Sequence, residues 1–164
     1  MVGLLVSASV LANVHVYESK RDAITEGDAV LHCDPDSAYR AATDYGRWRE
    51  IFRGVRAAMV KAQHGAEAHV TFLHDDGTRD VLHFKNQPAT RTVWFEQLGG
   101  DAEVWCQIAF QPGQQPGTTR VHTWFYADVH GAKSWFVSDD EIRKLRQQQV
   151  RDDLSQLVTY FSRR

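Results

Sequence analysis

Residues 34–52, DPDSAYRAATDYGRWREIF, carry two short helical patterns in succession. Asp34 is a good N-cap, and Pro35 stands at the first helical position, where its missing N–H costs nothing. Gly46 interrupts the first pattern, and Gly54 ends the second. The second pattern puts three large apolar side chains on one side, namely Trp48, Ile51 and Phe52. This stretch therefore predicts two short helices in series.

The chain on either side of these helices alternates apolar and polar residues, which is typical of half-buried strands. Before the helices, residues 25–33 predict one strand, and residues 14–17 alternate only weakly. After them the pattern predicts six strands, at residues 57–63, 66–74, 79–86, 92–98, 102–110 and 120–129. The breaks between these six are rich in Gly, Pro and Asp and most are short, so neighbouring strands should pair antiparallel.

The end of the chain returns to a helical pattern. Ser138 and Glu141 form a capping box at its start. Apolar residues then follow at helical spacing, namely Val150, Leu154, Leu157, Val158 and Phe161. A sheet needs one face covered, and this long helix is the element able to cover it. We therefore predict an α+β fold: a curved seven-stranded antiparallel sheet around a long C-terminal helix, with two short helices after the first strand.

The composition is that of an ordinary globular domain of 164 residues, with 43% hydrophobic and 24% charged residues. A net charge of −2 supplies no excess of Lys and Arg to neutralise phosphates, which argues against a nucleic-acid binder. Two cysteines, Cys33 and Cys106, cannot build a disulfide framework, and we expect them on strands that are not neighbours. Each is expected to be a small buried apolar residue.

Residues 1–12, MVGLLVSASVLA, form an apolar N-terminal segment without any charge. The segment is too short to span a bilayer. It is typical either of the core of an export signal, although no Lys or Arg precedes it, or of an extra strand packed on the body. We assign residues 13–164 to a single domain, and the compartment stays open between the cytoplasm and export.

Three motifs resemble the START-like, Bet v 1-like (SRPBCC) superfamily, and most closely its polyketide cyclase/dehydrase and lipid-transport branch. They are Asp34–Tyr39, Thr43–Trp48 and Ile51-Phe52. The chain departs from that branch at Arg49-Glu50, where a proline is common, and residues 133–137, KSWFV, resemble the lead-in to the last helix without its proline. The resemblance implies a helix-grip fold with an apolar cavity between the sheet and the C-terminal helix.

Strand alternation selects the residues that would line such a cavity. The candidate ligand-binding residues are Trp48, Phe52, Val70, Phe72, His83, Phe95, Cys106, Ile108, Thr123, Phe125 and Leu154. The same apolar residues would equally suit a solid core. Their alternation predicts that three tryptophans, Trp94, Trp105 and Trp124, lie on the outer face of the sheet. If the alternation is shifted by one residue, the same tryptophans would line the cavity instead.

The sequence predicts binding of a small hydrophobic or lipid-like ligand, and it leaves two alternatives open. One alternative is a polyketide cyclase-like enzyme in the same cavity, for which the nearest catalytic candidates are Asp44, Tyr45, Arg47 and Arg79. They form no recognisable constellation, so we favour a protein that is not an enzyme. Another alternative is an interaction module or homodimer that uses the tryptophan face, or touches a membrane transiently.

Metal and cofactor sites are not indicated by the sequence. Eight histidines are present, but none has a metal-binding spacing such as the H-x-x-x-H of helical zinc sites. No glycine-rich phosphate loop suggests a nucleotide cofactor. We expect neither a metal nor a cofactor.

Overall fold

The computed structural model describes residues 13–130 and 137–163. Eight strands, β1 to β8, span Val14–Glu18, Ile24–Leu31, Val55–His64, Glu67–His74, Arg79–Gln87, Thr92–Gln97, Ala102–Pro112 and Thr119–Val129. Three α-helices, α1 to α3, span Pro35–Thr43, Trp48–Ile51 and Asp139–Ser162. Short 3₁₀ turns at Tyr45–Arg47 and Pro88–Thr90 complete the secondary structure of the described residues.

All eight strands form one antiparallel sheet in the order β1-β2-β8-β7-β6-β5-β4-β3. The α+β helix-grip architecture is therefore confirmed, with one strand more than the seven predicted. The additional strand is β1, which pairs with β2 from Val14↔Ala29 to Glu18↔Thr25. This strand has only five residues, and its apolar and polar residues alternate weakly. Its formation therefore depends on the free backbone hydrogen-bonding groups along the edge of β2.

The predicted helix caps are present. The Asp34 carboxylate accepts a hydrogen bond from the Ser37 amide at 2.9 Å, which satisfies one of the free N–H groups of α1. At α3, the Ser138 hydroxyl accepts from the Glu141 amide while the Glu141 carboxylate accepts from the Ser138 amide. In both helices, side chains close to the N-terminus satisfy backbone N–H groups that have no partner within the helix, and this fixes where the helix begins.

The long helix α3 approaches the sheet closely only at β1, β2 and β8. Gly27 on β2 marks the contact, because a Cβ there would lie 2.5 Å from Val150 Cγ1 and 2.7 Å from Leu154 Cδ1. A side chain at that position would force the Val150 and Leu154 side chains to move, at a cost in core packing. Since α3 lies against this half of the sheet, the concave surface of β4–β7 is left facing a space.

The three tryptophans lie on the outer face of the sheet, as predicted. Trp94 and Trp124 both stand opposite Gln107, whereas the neighbouring Phe95 and Cys106 point to the concave side. Trp105 stacks on Tyr126 with ring centroids 5.6 Å apart and an interplanar angle of 8°. The outer aromatic rings therefore pack partly on one another across neighbouring strands.

Two sequence predictions lie outside the described residues: the N-terminal segment 1–12 and the greater part of the motif at 133–137. The two cysteines are free thiols: Cys33 lies just after the end of β2, and Cys106 lies on β7. Within residues 13–130 and 137–163, no helix is both long and apolar enough to cross a membrane.

Candidate ligand cavity

A cavity of about 1210 Å³ lies between the concave face of the sheet and α3. Its sheet wall is formed by alternate residues of β4 to β8: Phe72, Leu82, Phe95, Val104, Cys106, Ile108, Thr123 and Phe125, with the polar residues His74, Asp80 and Gln97 at its edge. Strand registers align these residues across the sheet, because Phe95 faces Cys106 on the next strand, and Cys106 faces Phe125. The sheet therefore presents one continuous and largely apolar wall.

Trp48 closes one end of the cavity. Its ring stacks on Phe72 with centroids 4.7 Å apart, and its indole N–H donates to the Ala42 carbonyl oxygen at 3.0 Å. Phe52 packs on Trp48 at 4.9 Å between centroids. The backbone amide of Arg53 donates to the Gln156 side chain, which ties the end of this aromatic pair to α3. Helix α2 thus forms a wall that is anchored at both the sheet and the helix.

The α3 wall is polar, in contrast to the sheet wall. Asp153 points into the cavity region, and its carboxylate accepts a hydrogen bond from the Gln149 side chain at 2.9 Å. Burial raises the pKa of Asp153 to about 7, the neighbouring charge of Asp152 adds to the rise, and the Gln149 hydrogen bond opposes it. Asp153 can therefore hold or release a proton near neutral pH.

Cys106 and Thr123 lie on the sheet side of the same region. The Cys106 sulfur and the Thr123 hydroxyl are 3.4 Å apart. Burial raises the pKa of the Cys106 thiol to about 12, with a smaller contribution from the charge of Asp153. The thiol is therefore neutral at physiological pH and is not an activated nucleophile.

Comparisons with known proteins found similar three-dimensional structures but no similar sequence family. No family model and no curated protein matches the chain. Among solved structures, the di-domain ARO/CYC BexL from the BE-7585A biosynthetic pathway superposes with a TM-score of 0.74 at 15% identity, over 85% of this chain and 46% of that one. The Zhui aromatase/cyclase from Streptomyces sp. R1128 gives 0.65 at 14% identity, over 91% and 92%.

A third similar structure is the STAR-related lipid transfer protein (fragment 25–204) from Xanthomonas axonopodis. It gives a TM-score of 0.64 at 14% identity, over 91% of this chain and 92% of that one. This chain has the START-like, helix-grip fold. Identities this low concern the fold alone, and the chain spans about half the length of the di-domain protein.

Within the START-like fold, the structure brings together all but two of the predicted ligand-binding residues. Those that line the cavity are Trp48, Phe52, Phe72, Phe95, Cys106, Ile108, Thr123, Phe125 and Leu154. Val70 faces the same side of the sheet but is completely buried in the core, so it does not reach the cavity surface. The alternation that selected these residues does not distinguish a cavity wall from the core around it.

His83 is the prediction that the structure corrects. It lies on the outer face, where its two ring nitrogens contact carboxylates of Glu96 at 3.1 Å and Glu67 at 3.0 Å. The reason is strand alternation, since Leu82 and Phe84 on either side of it point inward. His122 is likewise on the outer face, between Glu26 and Asp28.

None of the four catalytic candidates lines the cavity. Asp44 and Arg47 form an exposed ion pair at 2.9 Å beyond the end of α1. Tyr45 is buried, and its hydroxyl accepts a hydrogen bond from Asn86 at 2.9 Å. Arg79 is exposed at the start of β5. Asp44, Tyr45 and Arg47 make contacts near the end of α1, and Arg79 lies at the start of a strand.

Asp153 is the functional candidate that the sequence reasoning missed. It lies three residues after Val150 and four before Leu157, so it shares the side of α3 that carries the apolar stripe. A carboxylate at that spacing is a signal that could have been found. Among the described residues, no group of three or more His, Cys, Asp or Glu is arranged to hold a metal ion.

Proposed function

We propose that this protein binds a small, largely apolar ligand, such as a lipid-like molecule, in the cavity between the sheet and α3. The supporting observation is the cavity itself: about 1210 Å³, walled by Phe72, Phe95, Ile108 and Phe125 on one side. Cavities for small ligands usually measure about 300–1,000 Å³, so this one has room for a long or multi-ring molecule. Burial of apolar ligand surface contributes about 25 cal/mol per Å².

The polar side of the cavity supports a ligand that is not purely hydrocarbon. Asp153 and Gln149 on α3, and the Thr123 hydroxyl on β8, offer hydrogen bonds to a carbonyl or hydroxyl group. A few polar groups in an apolar pocket orient a ligand rather than supply most of its affinity. The similar fold of a STAR-related lipid transfer protein is consistent with this proposal.

A cavity-filling substitution tests the proposal. Cys106→Trp places a large ring in the middle of the sheet wall, so we expect it to abolish the ligand adduct seen by native mass spectrometry of the freshly purified protein. The matched control is Gln107→Trp, which introduces the same ring on the next residue of β7 but on the outer face. This control should retain the adduct, and organic extraction followed by mass analysis should identify what is released.

Two results would contradict the proposal. One is a wild-type protein that carries no adduct and takes up no apolar probe such as Nile red. The other is equal retention of ligand by the Cys106→Trp and Gln107→Trp variants, with both folded by circular dichroism. In either case the space between sheet and helix would not be a ligand site.

Acid–base chemistry on a bound ligand is a second candidate function. The observation that favours it is a carboxyl group with a pKa of about 7 that faces the cavity from α3. Such a group can both accept and donate a proton at neutral pH, as a cyclisation of a poly-β-ketone chain would require. The solved structures with this fold include an aromatase/cyclase.

Asp153→Asn tests this second candidate. Because the folded pKa of about 7 lies above the unfolded value of about 3.9, ionised Asp153 destabilises the fold. That cost is absent below about pH 4, grows as pH rises toward 7, and is complete above it. We expect the variant to be more stable than wild type by about 4 kcal/mol at pH 8 and equal at pH 4, in urea titrations.

The enzyme hypothesis then requires that Asp153→Asn abolish turnover of a poly-β-ketone while the affinity for the apolar ligand is retained. The control is Asp139→Asn, because Asp139 is exposed at the start of the same helix and is not part of the cavity lining. Unchanged turnover in Asp153→Asn, together with the pH-dependent stability, would leave Asp153 a ligand-orienting group.

A further inference from the structure

The mouth of the cavity is marked by those lining residues that are also exposed to solvent. Four of them are arginines: Arg49 on α2, Arg53 just after it, Arg163 at the end of α3, and Arg151, which lies twelve residues before Arg163 on the same helix. The hydrogen bond between the Arg53 amide and Gln156 shows that the end of α2 and this part of α3 meet across the opening. Positive side chains therefore flank the opening from two separate elements.

These arginines have no carboxylate partner within the described parts of the chain, although their neighbours do. The other arginines near α2 are paired: Arg47 with Asp44 at 2.9 Å, and Arg91 with Asp36 at 2.5 Å. Arg49, Arg53 and Arg163 form no ion pair of this kind among residues 13–130 and 137–163. Their guanidinium groups are available to an incoming molecule.

The carboxylates of the cavity lining, by contrast, are already engaged. Asp80 is held by His74 at 2.7 Å, and Asp153 by Gln149 at 2.9 Å. Asp152 accepts from Gln148 at 2.8 Å, and Glu50 also has a partner. Among the charged lining residues that the structure describes, only the arginines therefore lack a hydrogen-bond or ion-pair partner for the side chain.

We infer that the ligand is an anionic amphiphile: its carboxylate or phosphate end lies at Arg49, Arg53 and Arg163, and its apolar part fills the cavity. This inference rests on the proposed function and specifies its ligand class. Guanidinium groups bind carboxylate and phosphate oxygens through paired N–H donors, and they also steer anions toward an opening. The apolar part then lies against the aromatic sheet wall.

Asp153 is compatible with such a ligand because it is less exposed than Arg49, Arg53 and Arg163 and lies well away from Arg163 along α3. Ten residues of α3 separate it from Arg163, which corresponds to about 15 Å along the helix axis. An anion at the mouth is therefore well separated from the Asp153 carboxylate. The region around Asp153 and Gln149 remains free to meet an uncharged oxygen further along the ligand.

Displacement of bound Nile red, a neutral apolar dye, measures directly which head-group charge the cavity prefers in a ligand. The competitors share one alkyl chain and differ in the head group: laurate, dodecyl phosphate, dodecanol and dodecyltrimethylammonium, at pH 8 and low ionic strength. We expect both anions to bind about tenfold more tightly than dodecanol, and the cation to bind most weakly. The ratio of laurate to dodecyl phosphate identifies which anion the mouth prefers.

Removing two of the arginine charges tests whether the preference for anionic head groups arises at the mouth of the cavity. Arg49→Gln/Arg53→Gln should weaken laurate binding about tenfold and leave dodecanol unchanged. The control, Lys20→Gln/Arg21→Gln, removes the same charge from an exposed turn outside the cavity lining and should change neither affinity. Retention of the fold is checked by thermal unfolding of both variants.

The outcomes separate this inference from the proposed function. Equal binding of laurate and dodecanol, or equal effects of the two double variants, would overturn the anionic-ligand inference while the cavity remained a ligand site. Failure of every competitor, dodecanol included, to displace Nile red or to bind would overturn both. Selective loss of the anions in Arg49→Gln/Arg53→Gln supports the inference.

Discussion

Replacing Trp48 with alanine is expected to lower the free energy of unfolding by about 3–5 kcal/mol, the range for large aromatic side chains in a core. Trp48 is 8% exposed and contacts Phe72, Phe84 and Phe95 at centroid distances of 4.7, 5.5 and 6.0 Å. Its loss would leave a hole that these rings cannot close, because each belongs to a separate strand. Urea unfolding followed by circular dichroism measures the change.

Two further substitutions show which interactions of Trp48 stabilise the folded protein. Trp48→Phe keeps much of the ring packing but loses the N–H that donates to the Ala42 carbonyl, so we expect a cost of about 1 kcal/mol beyond the lost volume. Arg49→Ala, at the next and exposed residue of α2, should change stability by less than about 0.5 kcal/mol. A loss below about 1 kcal/mol in Trp48→Ala would show that α2 is not part of the cooperative core.

Arg146→Met is expected to cost about 3 kcal/mol, because it breaks a polar contact between α3 and the edge of the sheet. Arg146 is 7% exposed and donates to the Glu18 carboxylate at 3.1 Å, the Thr25 hydroxyl at 3.2 Å and the Ala127 carbonyl at 3.2 Å. Without it, the Glu18 charge on β1 keeps only the Thr25 and Gln147 donors. Glu18 retains some contact with solvent, so the cost lies at the low end of the range for buried pairs.

A double-mutant cycle isolates this interaction. Glu18→Gln/Arg146→Met removes both charges, so it should be more stable than Arg146→Met alone, with a coupling of 0.5–3 kcal/mol in urea unfolding. Arg143→Met is the matched control, since Arg143 lies on α3 one turn earlier and pairs with Asp140 only at the exposed surface. Additive losses in the cycle would mean that Glu18 and Arg146 are not energetically coupled.

Much of the fold was predictable because its signals are local. The helix caps at Asp34 and Ser138 act through side chains within three residues of the backbone groups that they satisfy. Strand alternation placed Phe72, Cys106 and Phe125 on one face and Trp105 on the other. The weakly alternating strand β1 was the uncertain element, because its pairing depends on an edge that other residues create.

The candidate site was predictable only in part. Alternation identified most of the sheet wall. The separate prediction that His83 points inward and orients a polar ligand group is wrong, because its neighbours Leu82 and Phe84 occupy the inward positions. The same pattern selected Val70, which the packing of the core hides from the cavity. Asp153 was missed since its surroundings, rather than its position on the helix, raise its pKa to about 7.

The amino-acid sequence by itself determined the order of strands and helices, the antiparallel pairing of neighbouring strands and the apolar stripe of α3, because each follows from residues close together in the chain. Only the tertiary structure decided that the sheet and α3 enclose an open volume rather than a solid core. Its size depends on how far Gly27 lets α3 approach one half of the sheet while the other half stays uncovered. That distance is set by contacts between residues more than a hundred positions apart, Gly27 with Val150 and Leu154, which no local pattern records.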